Sequence, residues 1–499
     1  MRQPPVAGTL RPRAERRTWP WQRTPSHGGR DWLTTLLGAA LLVGFAVLVG
    51  LQYLYPDKRV LAVLAAAVIF GVVWRLDLIS GLGVLVLALP YPRGTSFGST
   101  NLALVLLLLV IWLLRASMRQ AAAPHRTPVD APIAALLLAF TVSFYNVQPA
   151  TLNWALANYF LLLACVGMFY IIVNNVRTPA QLERLHVFQV VSIGMVILFG
   201  LFELRYPNAK LVPGWIEFKE EISEAINLHN VRIGGPFFDF ELLSEYCAMN
   251  FMLLLFLLLR ARSMARRVIF GGLLGLTMFI MFATVTRGGV LAMVAGLVYM
   301  AWLMRKRITA VAAGITLAGV AIGVLCLNYY VAHFTYAGDL IKRIQDPTSM
   351  TFINGLPASR ALLWQSAFTR MMEHPIIGHG PVYLTERSFG SWFWPHNGYL
   401  FVGNLVGIVG LTFYLWLLVR LWRLSRPNGA DLFDPNYARA YLFIGHVQLF
   451  VFVVDQMKID FLRNQNYQFQ VWLFFAYIVA AYQASRVLTP APAPAHARA

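Results

Sequence analysis

The chain alternates long apolar runs with short polar connectors. Residues 34–51, 100–114, 155–173, 242–259 and 309–327 each approach the ~20 residues needed to cross a hydrocarbon core. The same pattern, followed along the chain, predicts spans at 34–51, 60–74, 78–92, 100–114, 131–145, 155–173, 186–204, 242–259, 268–284, 289–304, 309–327, 397–419, 440–455 and 469–484. The expected fold is therefore an all-α polytopic membrane protein of about 14 transmembrane helices. The membrane domain runs over 31–485, preceded by a basic arm at 1–30 and followed by a Pro/Ala tail at 486–499, both read as disordered.

Two long segments interrupt the rhythm, at 205–241 and 328–396. In the first, residues 216–228 set Phe218, Ile222, Ala225 and Ile226 on one helical face and Glu217, Glu220, Glu221 and Glu224 on the other. An amphipathic helix lying on the bundle or membrane is predicted there. In the second, residues 359–374 form a helix candidate on which Arg360, Trp364, Phe368 and Met371 make one stripe. Pro375 ends that helix, and Gly378 and Gly380 loosen the chain after it.

Charge turns the list of spans into an orientation. The chain carries 41 Lys and Arg against 22 Asp and Glu, a net charge of +19. The arginines concentrate in short connectors: 115–126, 177–184, 260–267, 305–307 and 420–426. Short basic connectors stay in the cytoplasm, which puts both termini inside and both long segments outside. With 58% hydrophobic and 13% charged residues, the basic balance is a membrane feature, and nucleic acid is not expected as a partner. The three cysteines, Cys165, Cys247 and Cys326, sit in apolar runs without metal spacing.

Few polar residues remain to carry chemistry. Arg287 lies in a tight outside turn, TVTRGG, where Gly288 and Gly289 allow close approach of a helix or ligand. A guanidinium fork suits a phosphate or diphosphate, although an interfacial arginine also snorkels for purely structural reasons. Arg360 is a second candidate for the same headgroup and Arg232 a third. His396 stands just before a span. If Asn397 starts that helix, its positive end keeps the imidazole neutral and able to take a proton. An ordinary capping or interfacial histidine is the alternative. His374 and His379 lack a carboxylate at a metal-ligand interval, so no metal site is expected. There is no Walker A, dinucleotide fingerprint or HExxH, and no cofactor is expected. Asp455 and Asp460, at the outer end of a late span, are placed to line an access route.

TRGGVLAM, SRALLWQSAFTRMMEHPIIGHGP and HNGYL, in that order, resemble the motifs of the O-antigen ligase/polymerase family. Arg360, Trp364, Pro375, Gly378, Gly380, His396 and Asn397 match in sequence order, and the best-marked region runs from about 230 to 420. The resemblance implies inverting, metal-independent glycosyl transfer on the outer face of a bacterial inner membrane. The implied donor is an undecaprenyl-diphosphate-linked glycan, and the acceptor is a sugar hydroxyl on lipid or on a growing glycan. It implies Arg287 and Arg360 as diphosphate ligands and His396 as base; Trp364, in the same motif, reads either as a sugar-facing surface or as a membrane-interface anchor. Asp239 and Glu241 stand where many relatives are more neutral, a pattern closer to exopolysaccharide-associated members. Polysaccharide assembly proteins are possible partners. Two readings of another class compete: a transporter of lipid-linked glycan, which should show related halves that the sequence does not display, and a scaffold in an assembly complex.

Overall fold

The computed structural model describes residues 71, 74–75, 77–91, 100–206, 232–305, 351–353, 356–358, 360–382, 395–427 and 432–486. The spans expected at 34–51 and 309–327, most of that at 60–74, and the amphipathic helix at 216–228 lie outside the described residues.

The regular elements among the described residues are helices and one short antiparallel hairpin, β1 (Thr351–Ile353) with β2 (Leu356–Ala358), in the second long segment. The helices, in chain order, are α1 (Leu78–Ala88), α2 (Thr100–Ser117), α3 (Asp130–Ser143), α4 (Leu152–Asn175), α5 (Pro179–Arg205), α6 (Phe240–Arg260), α7 (Met264–Ala283) and α8 (Arg287–Leu303). After the hairpin come α9 (Arg360–Met371), α10 (Gly398–Ser425), α11 (Tyr437–Asp455) and α12 (Gln465–Arg486). Six of them, α4, α5, α6, α7, α10 and α11, are long and apolar enough to cross a membrane. Shorter apolar helices include α1 and α8.

The helices differ in what surrounds them. α6 is 78% buried and α11 72%, so both run through the centre, whereas α7 is only 17% buried. The outward residues of the periphery are large and apolar: Leu138, Leu198, Val268, Leu291 and Val298 are each more than half exposed. A belt of that kind on a soluble protein would be an aggregation surface. Here it is the face expected toward lipid. The centre is less apolar than the sequence suggests. Gln189 donates to Asn250 Oδ1 at 3.1 Å, His186 Nδ1 lies 2.8 Å from the Tyr437 hydroxyl, and Gln448 donates to the Met249 carbonyl at 2.8 Å. Pairing polar groups across helices removes the cost of leaving them bare in hydrocarbon.

Cross-helix hydrogen bonds sort the connectors into two ends. At one, the Arg260 guanidinium donates to the carbonyls of Leu432 and Asp434, Arg420 donates to Pro128, and Arg177 and Gln483 both meet His125. At the other, the segments 232–241, 396–398 and 456–464 bond to one another. The arginine-rich connectors thus share one end.

α10 is not a continuous helix. Gly407 has φ 65° and ψ −171°, and the ladder breaks there. A break inside a membrane span leaves amides and carbonyls that hydrocarbon cannot satisfy. The segment 375–380 supplies the missing partners: Ile408 N–H donates to the Pro375 carbonyl (2.8 Å), while His379 and Gly380 N–H donate to Asn404 and Leu405 (2.9 Å each). The close fit explains the glycines. A side chain on Gly378 would strike the backbone of Leu405 and Gly407, and one on Gly407 the backbone of Ile376. Asn146 and Asn158, from the end of α3 and from α4, donate to the carbonyls of Gly378 and Pro381 and pin this clip from the other side.

Candidate functional site

Four connectors meet at the end opposite the arginine-rich one. The first precedes α6. Gly234 lies so close to the backbone of Phe238 and Asp239 that a Cβ would not fit, and both Gly234 and Gly235 amides donate to the buried Glu203 carboxylate at 3.1 and 2.8 Å. The tight turn delivers Asp239 as the N-cap of α6, accepting from the amides of Glu241 and Leu242. Glu241 follows in the first turn, where the helix dipole favours a carboxylate.

The second connector joins α7 to α8. Val285 adopts φ 50°, a left-handed conformation costly for a β-branched residue. Arg232 holds it: buried to 5% exposure, it donates to the Thr284 carbonyl and the Thr286 hydroxyl at 2.9 Å each, and its guanidinium lies over the Phe240 ring. Arg232 is thus built into the turn that presents Arg287, half-buried at the first position of α8. Gly289 packs against Ser244 of α6, and Gly288 against Lys458, which is ion-paired with Asp455. The Lys458–Asp455 pair therefore lies beside the first turn of α8, which Arg287 opens.

The third connector carries His396. Asn397 is the N-cap of α10, its side chain accepting from Leu400 N–H at 3.0 Å, so the helix begins at Gly398 and His396 lies beyond its positive end. His396 itself has φ 46°. Its Nδ1 lies 2.9 Å from Glu241 Oε2 and 3.2 Å from a guanidinium nitrogen of Arg463. The fourth connector, 456–464, supplies that arginine. Its Gln456 carbonyl accepts from Gly398 N–H at 2.8 Å, and the Gln456 amide donates to Glu245 at 3.0 Å.

Arg463 is 7% exposed and surrounded by carboxylates: Asp239 at 2.7 Å, Glu241 at 2.9 Å and Asp460 at 3.5 Å. Burial opposes its charge, but these neighbours outweigh burial and hold the guanidinium firmly protonated. Asp460 is wholly buried, and burial pushes its carboxyl up to about 6 despite the opposing pull of Arg463 and His396. Among the described residues, no group of three or more His, Cys, Asp or Glu is arranged to hold a metal ion.

The structure brings Arg232, Arg287 and His396 to this end of the bundle. Arg360 opens α9, and its side chain lies outside the described residues. Among the described residues, Trp364 makes no hydrogen bond or ring contact with the cluster, and it is 37% exposed. The stripe expected at Arg360, Trp364, Phe368 and Met371 is displaced by about a quarter turn: α9 packs through Leu363, Ala367 and Met371, whereas Trp364 and Phe368 are 37% and 52% exposed. The reason is the small face that α10 offers. Gly403 receives Met371, and Asn404 donates to the Ala367 carbonyl, contacts that a bulky aromatic would prevent. The polar side of α9, with Gln365, Thr369 and Arg370, borders an open cleft of about 550 Å³, which His379 lines from the segment after the helix.

Sequence reasoning did not assign Glu241, Lys458 or Arg463 to the site. Glu241 was visible as an acidic departure ahead of a span. Lys458 and Arg463 lie in a short connector after α11 in which only the carboxylates stood out.

Residues 272–415, from α7 through much of α10, match the family model described as O-Antigen ligase. The chain carries a domain of that family, as the motifs around Arg287, Arg360 and His396 suggested. Comparison with curated proteins finds no match.

Proposed function

We propose, starting from the O-antigen ligase domain at 272–415, that this membrane protein transfers a glycan from a lipid diphosphate to a sugar hydroxyl. The donor is an undecaprenyl-diphosphate-linked glycan and the acceptor a sugar on lipid or on a growing chain. The hydroxyl oxygen attacks the anomeric carbon from the face opposite the diphosphate, so the configuration inverts. The new C–O bond forms as the bond to the diphosphate oxygen breaks. The hydroxyl proton passes to His396, and the diphosphate leaves on its lipid with the added negative charge.

Arg287 and Arg360 serve as ligands of that diphosphate, stabilising charge as it develops without calling on a divalent ion. Arg232 supports Arg287 from behind the 284–286 turn and adds positive potential there. Trp364, half-exposed on α9, offers a flat apolar face to a sugar ring or to the membrane interface. The arginine-rich end of the bundle faces the cytoplasm, with both termini, so the His396 end faces the periplasm across a bacterial inner membrane.

The observation that carries this reading is the gathering of Arg287 and His396, from connectors far apart in sequence, at the end away from the basic connectors. Purified protein in proteoliposomes, supplied with undecaprenyl-diphosphate-linked glycan and separate acceptors, tests it. Longer glycan still on the carrier identifies a polymerase, and transfer to the separate acceptor a ligase. His396→Ala and Arg287→Ala should each reduce turnover by at least about 10²-fold. Movement of the lipid-linked glycan across the bilayer with no new linkage would mean a transporter instead.

A further inference from the structure

The contacts of His396 are one-sided. Both of its hydrogen-bonding neighbours, Glu241 at 2.9 Å and Arg463 at 3.2 Å, approach Nδ1. Among the described residues, Nε2 has no hydrogen-bond partner, and the side chain retains 18% of its exposure. The two neighbours of Nδ1 make opposite demands. An ionised carboxylate only accepts, so Nδ1 must carry the proton to bond Glu241. A guanidinium only donates, so Nδ1 must be bare to bond Arg463. Arg463 has other uses for its donors, giving one nitrogen to Asp239 and Glu241 together at 2.7 and 2.9 Å. Glu241 accepts from that nitrogen through Oε2, the same oxygen that faces His396. Its carboxylate is thus fixed by an arginine that is itself held by Asp239 and Asp460.

We infer that Glu241 is a positioning residue that fixes His396 in the Nδ1–H tautomer with Nε2 as its open, proton-accepting nitrogen, and that Arg463 holds Glu241 in place for that purpose. This rests on the proposed role of His396 as base. The charged groups around the ring are Asp239 and Glu241 from the start of α6, and Asp460 and Arg463 from the connector before α12. When Nε2 takes the acceptor proton, the ring becomes an imidazolium bonded to a carboxylate, which stabilises the cation as it forms. The left-handed backbone at His396 fits this arrangement: a strained residue persists where its surroundings over-determine its position.

The test uses full-length protein in proteoliposomes, with transfer measured across pH for wild type, Glu241→Gln, Glu241→Asp and His396→Ala. Glu241→Gln should lower kcat about 10²-fold with little change in KM. Its activity should fall off at lower pH than in wild type, because the imidazolium loses its carboxylate partner. Glu241→Asp should recover part of kcat and move the acid limb back. An unchanged kcat and pH profile in Glu241→Gln, with His396→Ala inactive, overturns the positioning role and leaves the base intact. Full activity in His396→Ala overturns the base itself. A Glu241→Gln variant that is slow but keeps the wild-type acid limb, with no recovery in Glu241→Asp, reduces Glu241 to a structural contact and also overturns the inference. If Glu241→Gln fails to fold, Arg463→Lys reads the same bond from the other side. It should lower kcat and shift the acid limb, and an unaltered profile in that variant counts against the inference.

Discussion

Asp460 is wholly buried, and its carboxyl is held at about 6, above the ordinary 3.8, by loss of water more than by its charged neighbours. The folded chain therefore binds this proton more tightly than the unfolded chain does. The stabilisation is complete below about pH 4 and is lost as pH rises through about 6. A shift of this size corresponds to a difference on the order of 3 kcal/mol between the two ends of that window. Asp460→Asn, which cannot ionise, should escape the loss. In detergent, the thermal midpoint of wild type should fall relative to that of Asp460→Asn between pH 4 and 7. Parallel curves would show that the acid is not held up. Arg463 keeps its charge throughout, so the contacts of Glu241 and Asp239 survive while Asp460 titrates.

At the level of elements, the PIIGHG stretch reads differently in sequence and in space. As sequence it ends a helix and loosens a loop. In space it inserts beside the break in α10 and supplies the amides and carbonyls that the break leaves unmatched. Gly378 and Gly407 both have positive φ; Gly378 stands against the backbone of Leu405 and Gly407, and Gly407 against that of Ile376 and Ile377. Gly378→Ala and Gly407→Ala should each lower stability by roughly 2–4 kcal/mol. Because they damage one shared contact, the double variant should cost clearly less than the two single costs combined. Thermal unfolding of the three variants measures this, and strict additivity would mean that the two glycines act independently. Pro375 contributes through its carbonyl, which alanine keeps, so Pro375→Ala should be mild by comparison.

These same elements show what was readable beforehand. The helices α4, α5, α6, α7, α10 and α11 were legible because each is a long local run of apolar side chains. Arg287 and His396 were legible because polar residues at the edges of such runs stand out. The break in α10 was not, since a glycine within an apolar run looks the same whether the helix continues or stops. Nor were the partners of His396. Glu241 lies 155 residues away and Arg463 lies 67, and no local pattern records a contact over such separations. The face of α9 differs from its periodicity for a related reason: what decides it is the small surface of α10.

At the scale of the whole molecule, the two ends of the bundle differ in charge chemistry as well as position. Arg177, Arg260 and Arg420 tie connectors together at one end. At the other, Arg463 is enclosed by acids beside His396. The proposed orientation follows from this asymmetry and can be read directly. In a variant lacking the 3 native cysteines, Tyr145→Cys, at a position 88% exposed beyond α3, should react with a membrane-impermeant maleimide in intact spheroplasts. Ser263→Cys, just before α7, should react only after the membrane is opened. The reverse pattern would invert the molecule and place His396 in the cytoplasm.

The clip beside Gly407 also bears on how the protein is made. A span whose ladder is interrupted is a poor substrate for insertion by itself, because each bare backbone group costs several kcal/mol in lipid. The segment that satisfies it, 375–380, precedes α10 in the chain, so it is already synthesised when α10 emerges. The asparagines that pin it from α3 and α4 are already in place by then. Arg463, by contrast, leaves the ribosome after all of these. Chain order therefore runs from scaffold to chemistry: the residues that clip α10 precede it, while Arg463, one of the two neighbours of the His396 imidazole, follows in the connector before α12.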